Sequence, residues 1–474
     1  MSRTFRSAAR AAALACAAAG WLALTACGGS NQVVNLTNAT SDLTTTTSLG
    51  AIEARVVNAD NTPYASQTVL ISGVATSRTR ATTNSLSRTT DADGLFQVGS
   101  LPPGTYTVQA GTVNFSLPVT ANTLTTRRLD LGSPSTVRTD LGLLYIVNTL
   151  AQTLSVVDTD LLTITNNVLT TGLYPNQVVF RKGLGYVVNS GDNTIQRFNP
   201  KSNASIDTLN VGTGANPYSM IFASDTTAYV SNLYANTVAV IDLSGSSPKV
   251  SGTIPVDNAP EGLAIAGGNL YVCCSNYTVS GETVTYNTGM VDVINTSTNT
   301  VTAHLQTGAA SNPQAAAVGA DGALYVLCTG DYATVNSQVL RINVSTNTLS
   351  GTNLTLTAPS SGLTSAGGIA VAPNGHGFLN DTVTNRIYVI DTNADAMLLN
   401  GSASLNEGAN PIGVVAAPNG TVWVFNFNTD VAHAFSSSTY AAVGSSLTTG
   451  DGPLAGAVRG RRGVRRSAVF AAGL

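Results

Sequence analysis

Beyond about residue 136 the chain repeats one pattern of apolar and polar positions. Each copy has an apolar strand that contains a tyrosine and ends in a polar residue or a cysteine; the five clearest are 144–148 (LYIVN), 185–189 (GYVVN), 228–232 (AYVSN), 270–274 (LYVCC) and 324–328 (LYVLC). A second strand ending in Asp or Asn follows, as in 238–242 (VAVID). A proline loop then leads to a third apolar strand, at Pro175, Pro217, Pro260, Pro313, Pro411 and Pro453. Repeat periods of about 40 to 50 residues with several strands each predict the blades of a β-propeller.

The order of strand, asparagine, strand, aspartate and proline loop resembles the YVTN family of β-propellers. With fainter copies at 377–380 and 422–426 the repeats number seven, over residues 136–459. The resemblance therefore implies a seven-bladed β-propeller. The last apolar segment, 454–458, is followed by no tyrosine strand, so we expect it to pair with the first repeat and to close the ring.

Residues 51–135 show a different pattern, in which short β-type segments alternate with turn residues. Gly94 suits the positive φ of a tight turn, and we expect Phe96 directly after it to point into a core. A second turn, Pro102-Pro103-Gly104, precedes Tyr106. These residues resemble the carboxypeptidase regulatory-like family, which implies a small β-sandwich of the prealbumin type. The predicted fold class is thus all-β, a prealbumin-like sandwich followed by a propeller.

The N-terminus resembles a bacterial lipoprotein signal. Basic residues at positions 3, 6 and 10 precede an apolar stretch over 11–24, and small residues lead to Cys27. The resemblance implies a signal peptide over 1–26, lipidation of Cys27 and a polar tether over 27–50. Because Gly28 rather than an acidic residue follows the cysteine, it implies the outer membrane. The expected location is the cell envelope, with the membrane as a partner through the lipid anchor.

Composition narrows the class of partner. Only 10% of residues are charged and the formal net charge is −3, so nucleic-acid binding is disfavoured. The basic segment within 460–474 is interpreted as a solvated tail. Three cysteines of the repeats, Cys273, Cys274 and Cys328, are expected to be buried free thiols. The three histidines fall at different positions of the repeat, so we predict no catalytic group, no metal site and no cofactor.

The loops before the innermost strands are the better functional candidates, because their residue after the proline varies from repeat to repeat. We expect these residues to lie exposed at one mouth of the channel and to bind a ligand through Asn176, Tyr218, Glu261 and Gln314. The asparagines at strand ends recur in most repeats and are interpreted as structural. The predicted function is binding or scaffolding of an envelope protein, peptide or glycan. The alternative is a propeller enzyme of the lactonase or periplasmic dehydrogenase-subunit type.

Overall fold

The computed structural model describes residues 49–59, 63–74, 83–91, 94–120, 124–132, 142–159, 162–200, 202–408 and 410–459. These residues form two compact units, which divide between Gly142 and Leu143. The predicted signal peptide (1–26), Cys27, nearly all of the tether and the basic tail (460–474) lie outside the described residues. Within those residues, no helix has the length and apolarity needed to span a membrane.

The first unit consists of two sheets that share one core. Its strands are β1 (Gly50–Val57), β2 (Thr68–Val74), β3 (Thr83–Thr89), β4 (Leu95–Leu101), β5 (Gly104–Ala110), β6 (Val113–Val119) and β7 (Leu124–Asp130). One sheet has the order β4-β1-β7, with β1 and β7 parallel, and the other has the order β3-β2-β5-β6. Side chains of both sheets, including Ile52 and Val108, are fully buried in one cluster. The unit is a β-sandwich, in which Gly94 has a φ of +76° and Phe96 is buried, as predicted.

The described residues of the second unit form strands and one turn of 3-10 helix, Gly401–Ala403. The strands of its first half are β8 (Leu143–Asn148), β9 (Thr153–Asp158), β10 (Thr163–Thr170), β11 (Pro175–Arg181), β12 (Leu184–Asn189), β13 (Thr194–Asn199), β14 (Ala204–Asn210), β15 (Pro217–Phe222), β16 (Thr227–Asn232), β17 (Thr237–Asp242), β18 (Lys249–Pro255), β19 (Pro260–Ala266), β20 (Asn269–Cys274), β21 (Tyr277–Ser280), β22 (Thr283–Tyr286), β23 (Thr288–Asn295) and β24 (Thr300–Ser311). Those of its second half are β25 (Pro313–Val318), β26 (Leu324–Cys328), β27 (Gln338–Asn343), β28 (Thr348–Thr355), β29 (Ala366–Val371), β30 (His376–Asp381), β31 (Arg386–Asp391), β32 (Ala396–Leu399), β33 (Leu405–Asn406), β34 (Pro411–Ala416), β35 (Thr421–Asn426), β36 (Val431–Ser436), β37 (Leu447–Thr448) and β38 (Pro453–Arg459).

In the described part of this unit, seven sheets of four or five strands follow one another, and we number them as blades 1 to 7. Blade 1 has the order β10-β9-β8-β38, so it joins the C-terminal strand to three N-terminal ones. Blades 2 and 3 are β11 to β14 and β15 to β18, blade 4 is β19-β20-β23-β24, blade 5 is β25 to β28, blade 6 is β29 to β32 with β33, and blade 7 is β34 to β37. The innermost strands β38, β11, β15, β19, β25, β29 and β34 contact one another in turn, and β34 contacts β38. The sheets therefore form a closed ring.

The C-terminal strand closes this ring as the sequence predicted. In its pairing with β8, Ala455 lies opposite Val147 and Ala457 lies opposite Tyr145. The innermost strands also approach one another closely. A Cβ atom on Gly413 would lie 2.2 Å from the carbonyl oxygen of Leu454 on the next innermost strand, so this position requires glycine.

The repeated tyrosine of the second strand links blades 1, 3, 4 and 5 to the blade that follows each of them. Tyr229 of blade 3 is fully buried, and its hydroxyl donates to the carbonyl of Thr296 in blade 4 at 3.2 Å. The hydroxyl of Tyr271 in blade 4 donates to Asn347 Oδ1 of blade 5 at 2.5 Å. A tyrosine therefore suits this position because its ring fills the core while its hydroxyl reaches a polar partner.

The strand-end asparagines have the predicted structural role. Asn232 Nδ2 donates to Thr237 Oγ1 at 3.2 Å, across the turn to the third strand. The residue after the asparagine reaches the following blade, where Thr149 Oγ1 donates to the carbonyl of Pro175 at 2.7 Å. These bonds join the end of one second strand to the start of the next innermost strand. We call the face of the ring that carries these ends the proline face.

Candidate ligand-binding site

Each innermost strand begins with a bulge on the proline face. The pairing register shifts after the first residue of all seven innermost strands, for example between Pro217 and Ser219 in blade 3 and between Pro260 and Leu263 in blade 4. A bulge places an extra residue outside the regular hydrogen-bond ladder and redirects its side chain. The four predicted ligand residues occupy this position in blades 2 to 5; they are Asn176, Tyr218, Glu261 and Gln314.

All four side chains are buried, with exposures between 2% and 5%, so the prediction that they lie exposed on loops is wrong. The prolines begin the innermost strands themselves, and the bulge turns the next side chain toward the residue that follows the second strand. Asn176 Nδ2 donates to Ser190 Oγ in this way. Thr329 Oγ1 donates to Gln314 Oε1 at 2.7 Å. These side chains can therefore form the inner part of a site but not its surface.

Glu261 is a buried carboxyl group with one oxygen free for a further contact. Ser275 Oγ donates to its Oε1, whereas its Oε2 has no hydrogen-bond partner among the described residues. Burial raises the pKa of Glu261 to about 8, and the Ser275 hydrogen bond opposes the shift. The group is therefore mostly protonated at neutral pH and can donate a hydrogen bond as well as accept one.

An inserted hairpin in blade 4 brings tyrosines to the proline face next to Glu261. Strands β21 and β22 pair with each other between the second and third strands of the blade. Tyr277 lies opposite Tyr286 in this hairpin, with ring centroids 6.0 Å apart in an edge-to-face arrangement. The ring of Tyr332, from the loop after the second strand of blade 5, lies 5.5 Å from that of Tyr286. Tyr332 is 39% exposed, so the cluster is open to solvent.

Direct contacts join these tyrosines to residues that the sequence predicted. The buried Tyr218 packs against Tyr277, and Gln314 Nε2 lies 3.5 Å from Tyr332 Oη. We call the group of six residues the tyrosine site; it comprises Tyr218, Glu261, Tyr277, Tyr286, Gln314 and Tyr332. Asn176 does not belong to it, because it lies in blade 2 with Ser190 as its partner.

The tyrosine site carries little charge. Burial of the hydroxyl ends raises the pKa values of Tyr286 and Tyr332, although part of the Tyr332 side chain is exposed, and the proximity of Glu261 raises both further. The two hydroxyls are therefore neutral donors. Asp331, next to Tyr332, directs Oδ1 to its own loop, where the backbone N–H of Thr334 and of Val335 each donate to it at 2.7 Å. The site thus offers ring faces, hydroxyls, an amide and a protonated carboxyl group.

Sequence reasoning located the buried end of this site and missed the hairpin. Successive prolines lie 42 and 43 residues apart up to Pro260, whereas Pro313 follows at an interval of 53. The extra length is the hairpin, and its turn residue Gly281 has a φ of +62°. The excess interval was the sequence signal for an insertion, and Tyr277 and Tyr286 lie within it.

A second group also escaped the sequence analysis. The three histidines lie in different blades, but His304 meets two carboxylates. Its Nδ1 is 2.7 Å from Asp292 Oδ1 and 2.9 Å from Asp257 Oδ2. Strand pairing places Asp292 opposite His304, and Asp257 comes from the loop before blade 4. The sequence analysis did not foresee this group, because its side chains are distant in sequence and meet only across the assembled blade.

The cysteines agree with their prediction. Cys273, Cys274 and Cys328 are buried and free. Cys273 and Cys274 pack into different hydrophobic clusters, as expected for neighbours on one strand. Burial raises the pKa of all three thiols, so they are inert rather than nucleophilic.

A cleft of about 440 Å³ lies on the proline face at blade 6, between the loop 358–363 and Arg386. Of its lining residues only Arg386 is titratable, and its Nη1 donates to the carbonyl of Ser404. The cleft therefore offers no free charged group to a ligand, and the tyrosine site, with its buried carboxyl group, is the stronger candidate.

No protein-family model and no curated protein matches this sequence. Among solved structures, the chain is similar to Kuenenia stuttgartiensis hydrazine synthase, with 18% identity and a TM-score of 0.53 over 63% of this chain and 93% of that one. It is also similar to a lactonase-like protein from Bacteroides fragilis, with 14% identity and a TM-score of 0.54 over 67% and 98%. A Lactobacillus plantarum protein gives 15% identity and a TM-score of 0.51 over 67% and 98%. At such identities the likeness shows the fold alone, which is a β-propeller.

Proposed function

We propose that this protein is a lipid-anchored binding protein of the bacterial cell envelope, and that its propeller binds a neutral glycan at the tyrosine site. In chain order the sandwich would separate the anchored end from the propeller and so act as a spacer. The observation that carries the proposal is the free Oε2 of Glu261, buried beside a partly exposed cluster of tyrosines.

The chemistry of the site favours a sugar over a charged peptide end. The apolar face of a sugar ring stacks on tyrosine, and its hydroxyls exchange hydrogen bonds with neutral donors and acceptors. Glu261 is mostly protonated at neutral pH and the oxygens of Asp331 face its own loop. A peptide terminus would be better matched by a fixed charge of opposite sign.

The experiment is a binding measurement with neutral oligosaccharides, acidic oligosaccharides and short peptides, using the full chain in detergent. Replacing Tyr286 and Tyr332 together by Ala should weaken binding of a neutral oligosaccharide by at least about tenfold, because stacking contacts contribute roughly 0.5–1.5 kcal/mol each beyond their buried area. Tyr174→Ala is the matched control, since Tyr174 is 49% exposed on the same face in blade 2. It should bind like the wild type.

Equal binding by the double variant and the wild type would refute the tyrosine site as the ligand site. Preference for charged peptides would refute the glycan. Screens for lactone hydrolysis and for redox turnover should both be negative. Turnover that Glu261→Gln abolishes would instead establish the propeller enzyme, with Glu261 as its general acid.

The lipid anchor is tested separately. Cys27→Ser should abolish acyl labelling and release the protein from outer-membrane fractions, because acyl chains supply the membrane affinity. Cys328→Ser, at a buried thiol of blade 5, is the control and should leave labelling unchanged. Undiminished labelling of Cys27→Ser, or wild-type protein found in the inner membrane, would contradict this part of the proposal.

A further inference from the structure

Asp257, Asp292 and His304 form a compact group of ligand atoms at the outer part of blade 4. One imidazole nitrogen and the two carboxylates lie within 4.8 Å of one another. The side chain of Asp292 is fully buried, whereas those of Asp257 and His304 are 35% and 53% exposed. An ion can therefore enter from the solvent side and reach a carboxylate in the interior.

Blade 7 shows what an ordinary polar pair looks like at the equivalent place. His433 occupies the position of Asp292, since each pairs with the third apolar residue of its second strand, Val424 and Val272. There a single carboxylate, Glu407, accepts from His433 Nδ1 at 2.6 Å and from Asn426 Nδ2 at 2.8 Å. Two nitrogen donors thus converge on one carboxylate oxygen.

In blade 4 two carboxylates face one side-chain nitrogen, whereas in blade 7 one carboxylate faces two. Its asparagine position is taken by Cys274, a buried thiol whose contacts are long, 3.8 Å to the Val272 carbonyl and 4.0 Å to Asp292 Oδ2. A thiol supplies neither the amide donor nor a positive charge. Two carboxylates therefore share one imidazole nitrogen, and even a charged imidazolium leaves one negative charge in excess beside the buried Asp292.

We propose that Asp257, Asp292 and His304 bind one zinc ion, with a water molecule in the fourth position. Imidazole nitrogen and carboxylate oxygens are ordinary zinc ligands, and three protein ligands leave one position of the tetrahedron open. The backbone N–H of Asp257 donates to Asp292 Oδ2 at 2.7 Å. This bond fixes the carboxylate from behind and leaves Oδ1 for the metal, as hydrogen bonds to ligating carboxylates do in zinc sites.

The test is zinc binding by the full chain in detergent, measured by calorimetry and by metal content after dialysis. The wild type should bind one zinc ion per chain. Asp292→Asn and His304→Gln should each weaken binding by at least about tenfold, since even the loss of a residue that only hydrogen-bonds to a zinc ligand typically costs that much. His433→Gln is the matched control and should bind zinc as the wild type does.

Thermal unfolding with and without zinc separates lost binding from lost folding. Zinc should raise the melting temperature of the wild type and of His433→Gln, and not that of His304→Gln. Because the His304 side chain is half exposed, we expect His304→Gln to fold like the wild type. Cobalt in place of zinc should give the intense visible bands of a tetrahedral site in the wild type. The proposal is overturned if the wild type retains no stoichiometric zinc, or if both ligand variants bind it as tightly as the wild type.

Discussion

Blades 3 and 4 have the same four-stranded scaffold. They carry different side chains at the bulge, at the end of the second strand and on the third strand. In the bulge Tyr218 of blade 3 corresponds to Glu261 of blade 4, and at the end of the second strand Asn232 corresponds to Cys274. On the third strand a small apolar residue of blade 3 corresponds to Asp292. Blade 4 also carries the inserted hairpin. Its chemical differences thus lie at the proline face and on the third strand of the blade.

The features that hold the ring together are the same in both blades. Tyr229 and Tyr271 are both buried, and each donates a hydrogen bond to the following blade. Both innermost strands contact their neighbours in the ring. Because apolar packing and backbone hydrogen bonds stabilise the fold, polar side chains of blade 4 can differ from those of blade 3 without disrupting the ring. The comparison therefore separates a repeated scaffold from a single specialised blade.

If the scaffold carries the stability, the largest loss should come from breaking the ring far from blade 4. Truncation after Asp451 removes β38, in which Leu454 and Val458 are almost fully buried. Burial of each large apolar side chain contributes roughly 1.5–3 kcal/mol, and the pairing edge of β8 becomes exposed. We expect a large drop in melting temperature or aggregation, measured by thermal denaturation.

Truncation after Arg459 is the control for this experiment, because it keeps β38 complete and removes only residues outside those described. Its melting temperature should match that of the full chain. Equal melting temperatures for the two truncations would show that the ring does not depend on β38, and the distinction between scaffold and specialised blade would fail.

The sequence predicted the scaffold well because the scaffold is periodic. Repeats of apolar strands, asparagines and prolines predicted the propeller and the closing strand at 454–458, which the pairing of Ala455 with Val147 confirms. The prediction of exposure for Glu261 was wrong, because a bulge is a property of pairing between strands and not of a local pattern. Asp257 and His304 were not brought together, since they meet only across the assembled blade. A residue that differs in only one repeat belongs to no periodic pattern, so its role could not be predicted from the sequence.

The most sensitive test of the difference between blades 3 and 4 is the pH dependence caused by Glu261. Burial raises the pKa of this group in the folded state to about 8, from an ordinary value of 4.5. Below pH 4.5 the group is neutral in both states and costs nothing. As the pH rises toward 8 it ionises in the unfolded chain first, so the wild type should lose stability relative to Glu261→Gln, by an amount on the order of a few kcal/mol.

Denaturant unfolding at a series of pH values measures the difference, with Glu282→Gln at the exposed hairpin as the control. Parallel stability curves for the wild type and Glu261→Gln between pH 4.5 and pH 8 would show that Glu261 is an ordinary solvated carboxyl group, and that blade 4 is no more specialised at its bulge than blade 3.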